Sequence, residues 1–378
     1  MSFRPPLIEL EPADSAHLEW ARRIAHEGWG QVHPNPMVGC VLVKDGKVIG
    51  EGCHEVFGGP HAEIIALEQA LSRAEGATAY VSLEPCNHQG KTPPCAQALL
   101  DAGISRVVFG ASDPGSTSGG GAQTLRAGGV DVVGPVWDHV AARSENPAFF
   151  HGSRHARPFV ALKLAVSLDA RISAAPGERT RITGTEAERE VHRIRTGFDA
   201  VMVGSGTVDT DDPRLTPRLV PPGRDPIRRI LLLPDAELAS GAAVLADADT
   251  HAVHVFCLET VSEAALERLE SKGVHVHPVP ADESDSQLLD LEAVFARCHE
   301  LGIGAILCEG GAALGASLLR EQRVDRLYLF IAPRVLGVGG VPAYADDADQ
   351  VDWDEFIPSG PPAAYGSDTL ITLDRIAD

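Results

Sequence analysis

Within residues 59–96 a histidine, a glutamate two positions on and then two cysteines stand in an order that could do chemistry. His61 and Glu63 come first, in Pro60-His61-Ala62-Glu63, and Cys86 and Cys95 follow. An imidazole nitrogen and two thiolates are donors that zinc prefers, and three protein ligands leave the fourth tetrahedral position for water. Zinc held in this way lowers the pKa of its water to about 7, so a nucleophile is ready near neutral pH. Glu63, two residues beyond His61, is placed to carry a proton without ligating the metal. Isolated Cys and His side chains are often ordinary core residues, and Cys is among the most buried types. Three ligands in sequence, with a glutamate at this offset and Pro85 ahead of the first cysteine, make that plainer reading the weaker one.

His-x-Glu followed by Pro-Cys and a second Cys resembles the zinc-deaminase pattern. Here eight residues separate the cysteines, so a loop is inserted inside the metal site. That loop, Cys86-Asn-His-Gln-Gly-Lys-Thr-Pro-Pro-Cys95, and the segment His33-Pro34-Asn35-Pro36-Met37-Val38-Gly39-Cys40 closely resemble the deaminase half of the bifunctional riboflavin-biosynthesis deaminase–reductases. That family removes an amino group from a phosphoribosylaminopyrimidine and then reduces its ribosyl chain. The resemblance implies that His61, Cys86 and Cys95 hold Zn2+, that Glu63 is catalytic, and that Asn35, His54, His88 and Lys91 contact the deaminase substrate, with Lys91 near its phosphate. An asparagine amide both donates and accepts, which suits reading a heterocycle edge.

The elements that must position these groups alternate between strand and helix. Residues 13–28 predict a helix with Leu18, Ala21, Ile24 and Ala25 as its apolar stripe. Two prolines bracket Asn35, so 33–36 cannot be regular structure. An apolar run at 37–43 predicts a strand, and Asp45-Gly46 turns it into a hairpin. Residues 61–74 predict one helix with His61 and Glu63 in its first turn, where the helix dipole favours negative charge. A strand at 77–83 delivers Glu84-Pro85-Cys86, and Pro94 and Cys95 open the next helix. A strand at 106–111, a Gly/Ser run at 115–121, then helix, strand and a helix at 137–150 complete the half. The family has an Asn-Pro-rich stretch where the Gly/Ser run stands, so no residue is carried over there. The alternation indicates an α/β/α sandwich, which the resemblance makes cytidine-deaminase-like. The polar connection 151–157 places the domain boundary, giving a deaminase domain at 1–152 and a reductase domain at 153–378.

The second half opens on a buried strand carrying Lys163, Ser167 and Asp169. It resembles the start of the family's reductase domain, which has a dihydrofolate-reductase-like α/β fold; Lys163 and Asp169 are candidates for binding or proton transfer. A glycine usually follows the Asp, and here it is Ala170. The motif Thr207-Val-Asp-Thr-Asp211-Asp-Pro-Arg-Leu215-Thr and the turn Glu309-Gly310-Gly311 continue the resemblance. A Gly-rich turn from strand into helix suits a phosphate-bearing cofactor, although this is not a Gly-x-Gly-x-x-Gly fingerprint. The resemblance implies NADPH beside Ala165, Arg181, Thr207, Asp211, Gly311, Ala312, Ala313, Leu314, Gly315, Ala316 and Ser317. It implies substrate beside Arg179, Arg195, Leu215, Arg218 and Glu309. Two departures stand out: Arg179-Thr180-Arg181 replaces a stretch with Ser and Trp, and Leu232-Leu233-Pro234 replaces an Asp-Ser pair. They motivate a second reading, a deaminase whose reductase-like half is a binding or scaffold module.

At 378 residues the chain is long enough for two domains. A net charge of -21 disfavours wrapping nucleic acid and argues against an editing deaminase, while a few arginines suffice to hold one phosphate. No apolar run reaches the ~18 residues of a membrane span, and the first residues lack the apolar core of a signal peptide. Seven scattered cysteines fit a reducing compartment. The expectation is a cytoplasmic homo-oligomeric enzyme acting on a phosphorylated pyrimidine, with Zn2+ and NADPH as cofactors and no nucleic-acid or membrane partner.

Overall fold

The computed structural model describes residues 8–88, 93–344 and 351–376. Two compact units divide the chain, Met1–Arg154 and His155–Asp378.

In the first unit the order is α1 (Pro12–Ala25), β1 (Gly39–Lys44), β2 (Lys47–Cys53), α2 (Ala62–Ala70), β3 (Thr78–Leu83), α3 (Cys95–Asp101), β4 (Arg106–Ala111), α4 (Gly121–Ala127), β5 (Asp131–Val133), α5 (His139–Glu145) and α6 (Pro147–Gly152). The strands form one sheet in the order β2-β1-β3-β4-β5. The hairpin β1–β2 and the pair β1–β3 are antiparallel, whereas β3–β4 and β4–β5 are parallel. Both faces are covered, and the period-2 alternation of the strands decides which side chain goes where. Cys40, Leu42, Ala79, Val81 and Val107 pack with α2 and α3 through Ala62, Ala66, Ala96 and Leu99. Their neighbours Val41, Val43, Tyr80 and Val108 pack against Leu18 and Ala21 of α1.

Two expected helices are interrupted. The helix starting after His61 ends at Ala70, because Leu71 has φ +52 and a short 3-10 turn, Leu71–Ala74, follows. The expected helix at 137–150 splits into α5 and α6 at Asn146-Pro147. Asn146 is drawn out of helical geometry by a buried pair of bonds: Met37 N–H donates to its Oδ1 at 2.7 Å and its Nδ2 donates to Met37 O at 3.1 Å. Pro147 then starts the new helix, where its missing N–H costs nothing.

The second unit runs β6 (Phe159–Ser167), β7 (Arg171–Ser173), α7 (Thr185–Arg195), β8 (Ala200–Gly204), α8 (Ser205–Asp211), β9 (Arg228–Leu232), β10 (Val253–Leu258), α9 (Glu263–Glu270), β11 (His275–Val279), α10 (Leu291–Glu300), β12 (Ala305–Cys308), α11 (Ala312–Arg320), β13 (Arg326–Ala332), β14 (Val341–Pro342), β15 (Phe356–Pro358), β16 (Ala363–Tyr365) and β17 (Asp368–Arg375). Its main sheet has the order β11-β10-β9-β8-β12-β6-β13-β17-β15, with β16 paired to β17. The pairs from β11 to β13 are parallel, and β17 closes the sheet antiparallel to β13. Val160, Leu162, Leu164 and Val166 of β6 join a core with Met202, Ile230, Phe256 and Ile306, covered by α10 and α11. Lys163 and Ala165 alternate with them and line a cleft. The turns leaving the carboxyl ends of β8 and β12 also line it, the usual place for a ligand in an open parallel sheet. None of the described helices is long and apolar enough to cross a membrane.

Candidate functional site

In the first unit His61 is the N-cap of α2, Cys86 lies just past β3, and Cys95 begins α3. The three converge. His61 Nδ1 is 3.2 Å from Cys95 Sγ and 3.5 Å from Cys86 Sγ, and the three donor atoms lie within 4.8 Å of one another. Zinc–nitrogen and zinc–sulfur bonds of normal length, set tetrahedrally, put such N and S atoms roughly 3.5 Å apart, so this one-nitrogen, two-sulfur set fits zinc. The backbone N–H of Cys95 donates to Cys86 Sγ at 3.4 Å. The thiols are coupled: the hydrogen bond between the sulfurs holds Cys86 low as a thiolate and pushes Cys95 up. Glu63, one residue into the same helix, is 3% exposed. Burial, with the neighbouring Cys86 charge, pushes its carboxyl above the ordinary glutamate range.

Glu84 has a positioning role that pattern reading missed. It accepts the N–H of Ala122 at 3.0 Å and of Asp113 at 3.3 Å, which ties the Gly/Ser loop to the strand end carrying Cys86. The same loop accepts Asn87 N–H through Ser118 O at 2.8 Å. At Gly121 any Cβ would lie 1.8 Å from Pro85 O, so only glycine allows this approach. An acidic residue just ahead of Pro-Cys at a buried strand end was the available signal.

Asn35 and His54 meet at the site. Pro60 O can only accept, so His54 Nδ1, 2.9 Å away, carries the ring proton. His54 Nε2 is then an acceptor for the Asn35 amide N–H at 3.2 Å. Burial holds His54 below the usual histidine range, in keeping with a neutral ring. Its ring packs edge-on against His61 with centroids 5.4 Å apart. Both nitrogens of His54 are therefore engaged by protein. His88 is exposed, and Lys91 lies outside the described residues.

The cleft of the second unit has a volume of about 1110 Å3. That exceeds the roughly 300–1,000 Å3 of a single small-molecule site, enough for two ligands. Ala165, Arg179, Arg181, Arg195, Thr207, Asp211, Leu215, Arg218, Glu309, Gly311, Ala312, Ala313, Leu314 and Ser317 line it; Gly315 and Ala316 do not. Gly311 is the N-cap of α11, next to Thr207, where a Cβ would sit 3.4 Å from Thr207 Oγ1. Free N–H groups at such a terminus suit a phosphate, and the arrangement fits a dinucleotide. Asp211 is raised by burial, with Arg179 and Lys163 opposing. Leu232 and Pro234, which stand in place of the expected Asp-Ser pair, make that part of the wall apolar.

Glu309 is the electrostatic centre of the cleft. Arg195 donates through Nε to its Oε1 at 2.5 Å and through a terminal nitrogen to its Oε2 at 3.1 Å, and Lys163 Nζ lies 3.3 Å from Oε2. A further Arg195 nitrogen donates to Thr216 O at 3.1 Å. Arg195 thus holds Glu309 and the turn carrying Leu215, which has φ +60. Arg181, more exposed, pairs with Glu188 at 2.7 Å. Asp169 does not line the cleft: its carboxylate accepts from Ser167 Oγ, Leu336 N–H and Gly337 N–H and falls to about 2, led by the Ser167 bond. It anchors a loop through these bonds.

Comparison with known proteins matches each half to a family. Residues 12–111 match the family model described as the cytidine and deoxycytidylate deaminase zinc-binding region. Residues 158–355 match the RibD C-terminal domain. The chain is 38% identical over 331 residues to the riboflavin biosynthesis protein RibD of Aquifex aeolicus, covering 87% of this chain and 90% of that one. It is 36% identical over 336 residues to RibD of Escherichia coli, covering 86% and 89%. Among solved structures, a diaminohydroxyphosphoribosylaminopyrimidine deaminase/5-amino-6-(5-phosphoribosylamino)uracil reductase from Thermotoga maritima aligns with a TM-score of 0.78 at 32% identity, over 96% of this chain and 99% of that one. RibD of Acinetobacter baumannii aligns with a TM-score of 0.77 at 32% identity over the same shares. A zinc-deaminase half with its ligands assembled, a RibD reductase half with its cleft, and full-length likeness to proteins with both lead to one conclusion: the chain belongs to the RibD family of riboflavin biosynthesis proteins.

Proposed function

We propose that the chain performs two consecutive steps of riboflavin biosynthesis. The first is hydrolytic removal of an amino group from 2,5-diamino-6-(5-phosphoribosylamino)pyrimidin-4-one. The second is NADPH-dependent reduction of the ribosyl group to ribityl. In this reading the domain at 1–152 deaminates and the domain at 153–378 reduces.

The observation that carries the reading is the convergence of His61, Cys86 and Cys95 beside buried Glu63. When bound there, zinc supplies the Lewis acid that makes water nucleophilic near neutral pH. Glu63 takes a proton from that water and returns it to the departing amine. Burial of Glu63 suits both directions of transfer, since a raised carboxyl pKa lies nearer the working pH. His54 fixes the orientation of Asn35, whose Oδ1 accepts from the amino-pyrimidine edge. His88 and Lys91 extend the contact, Lys91 to the phosphate.

In the second unit NADPH supplies the hydride for the ribosyl C1. Thr207, Asp211, Ala165, Arg181, Gly311, Ala312, Ala313, Leu314 and Ser317 would hold the cofactor. Glu309 holds Lys163 through its Nζ contact at 3.3 Å, and Leu215, Arg179, Arg195 and Arg218 bound the substrate. The deaminase-only reading is not favoured, since the reductase family model spans 158–355 and the cleft retains its glycine turn. All seven cysteines are free, which supports a reducing cytoplasm. Exposed Leu168, Val335 and Val338, at 64%, 69% and 99%, support a homo-oligomer, which light scattering tests.

The test is a coupled assay on purified full chain given the diaminopyrimidine and NADPH. Ammonia release should precede NADPH oxidation, one for one. Ammonia without any NADPH oxidation would refute the second step, and no ammonia from zinc-loaded protein would refute the first.

A further inference from the structure

One buried side chain in the reductase cleft has no role in the sites described so far. His192 lies on α7, three residues before Arg195 and so on the same helix face. It is 3% exposed and lines the cleft. Its Nδ1 is 2.9 Å from the backbone N–H of Arg218. A backbone amide can only donate, so Nδ1 carries the lone pair and the neutral ring holds its proton on Nε2. Burial, with Arg195 and Arg218 close by, keeps the ring at about 4, so it stays neutral at working pH. Nε2 has no protein partner among the described residues and is not sealed in the interior. It is an N–H aimed into the cleft and waiting for an acceptor.

The surroundings say what kind of acceptor. Arg195 and Lys163 spend their charge on Glu309. Arg179, Arg214 and Arg218 also line the cleft, and none of them has a carboxylate bonded to it among the described residues. Arg218 is held below the usual arginine value by burial and by Arg195, Arg214 and Arg179. Crowded cations of this kind call for an anion. A neutral donor among them adds a hydrogen bond without adding another positive charge, and its Arg218 bond fixes which nitrogen donates.

We propose that His192 Nε2–H donates to the phosphate of the phosphorylated substrate in this cleft, making His192 a specificity-determining residue of the reductase step. The proposal rests on the reductase reading above. The acceptor belongs to the substrate rather than to the cofactor because His192 shares its face with Arg195 and is bonded to Arg218. It does not share a face with Thr207 or the N-terminus of α11.

Two variants separate the ring nitrogens. His192→Asn keeps an oxygen near Nδ1 for the Arg218 amide but removes the distal donor. His192→Gln reaches to the Nε2 position and keeps a donor there. In the full chain, His192→Asn should raise the reductase KM for the phosphorylated substrate about tenfold, the effect of one hydrogen bond to a charged group. It should leave NADPH affinity, read by fluorescence quenching, unchanged. His192→Gln should recover most of the loss. Equal KM values for wild type and His192→Asn, or a loss in NADPH affinity instead, would overturn the proposal. A second readout is independent of turnover. In 15N-labelled wild type without NADPH, the His192 Nε2–H resonance should shift on titration with ribose 5-phosphate and not with ribose. An unmoved resonance, or a ring protonated at Nδ1, would also overturn it. If that resonance shifts but no variant or wild type oxidises NADPH, the reductase reading fails and the phosphate site stands.

Discussion

Replacing Glu309 by glutamine keeps the side chain's shape and removes its charge, leaving two cations in a nearly dry pocket. The side chains of Glu309, Arg195 and Lys163 are 8%, 11% and 17% exposed, so solvent screens the ion triad little. Burial alone would raise Glu309, but Arg195 and Lys163 outweigh it and bring it to about 2 from an ordinary 4.5. That displacement corresponds to about 3 kcal/mol of stability that depends on the charge. Stranding one partner of a buried pair costs a similar amount, roughly 3–5 kcal/mol. For a unit of this size the melting temperature should fall by roughly 6–12 °C. The sign of the pH dependence follows from the lowered pKa. The contribution is complete above 4.5 and is lost as pH falls toward 2, so the gap between wild type and variant should close over that interval. Calorimetry of the full chain at pH 7, with urea titrations between pH 7 and 3, measures both effects. The second unit's transition should move while the first unit's stays. Adding Arg195→Met to Glu309→Gln should recover at least about 1 kcal/mol, because the stranded guanidinium is gone. A Glu309→Gln protein melting within a degree of wild type at pH 7, or a deficit that does not change with pH, would refute the reasoning.

Two further predictions concern stability. Tyr80 donates its hydroxyl to Asp14 Oδ1 at 2.6 Å beneath α1, and Arg106 forks the same carboxylate at 3.0 and 2.8 Å. Tyr80→Phe should therefore lower the urea stability of the first unit by about 1.5–3 kcal/mol. Burial pushes Asp14 up, but the Arg106 and Tyr80 bonds win and lower it, so this contribution is present above the ordinary Asp range and lost in acid. Ala170 has φ +55, a left-handed conformation that costs a side chain about 1–2 kcal/mol relative to glycine. Ala170→Gly should raise the melting temperature of the second unit by a few degrees with no change in NADPH turnover, and an unchanged or lower melting temperature would contradict that reading.

The metal donors are legible in the chain because their identity is chemical. A His-x-Glu and two cysteines in a fixed order need no packing calculation, and the stretch 77–83 announces the strand that delivers Cys86. Ala170 shows a local signal with a tertiary meaning: the resemblance leads one to expect glycine there, and the structure has a positive φ at that position. What pattern reading loses is set at a distance. The helix break at Asn146 depends on Met37, and the burial of Arg195 against Glu309 joins two motifs that each looked complete alone. The bonds of His54 to Pro60 O and Asn35 join residues that no local pattern pairs. His192 carries no motif at all; its tautomer follows only from the Arg218 backbone. Short-range pattern reports residue type and period, whereas roles that depend on a partner's free valence appear once the partners are in place.

The central claim is that three side chains hold the metal while a fourth moves the proton. Zinc content and ammonia release, measured together on wild type, Glu63→Gln and Cys95→Ser, test it most directly. Glu63→Gln should keep its zinc and lose deamination by about 10²–10⁴ in rate, while Cys95→Ser should lose both. A Glu63→Gln protein that sheds the metal, or that still releases ammonia at the wild-type rate, would contradict the account.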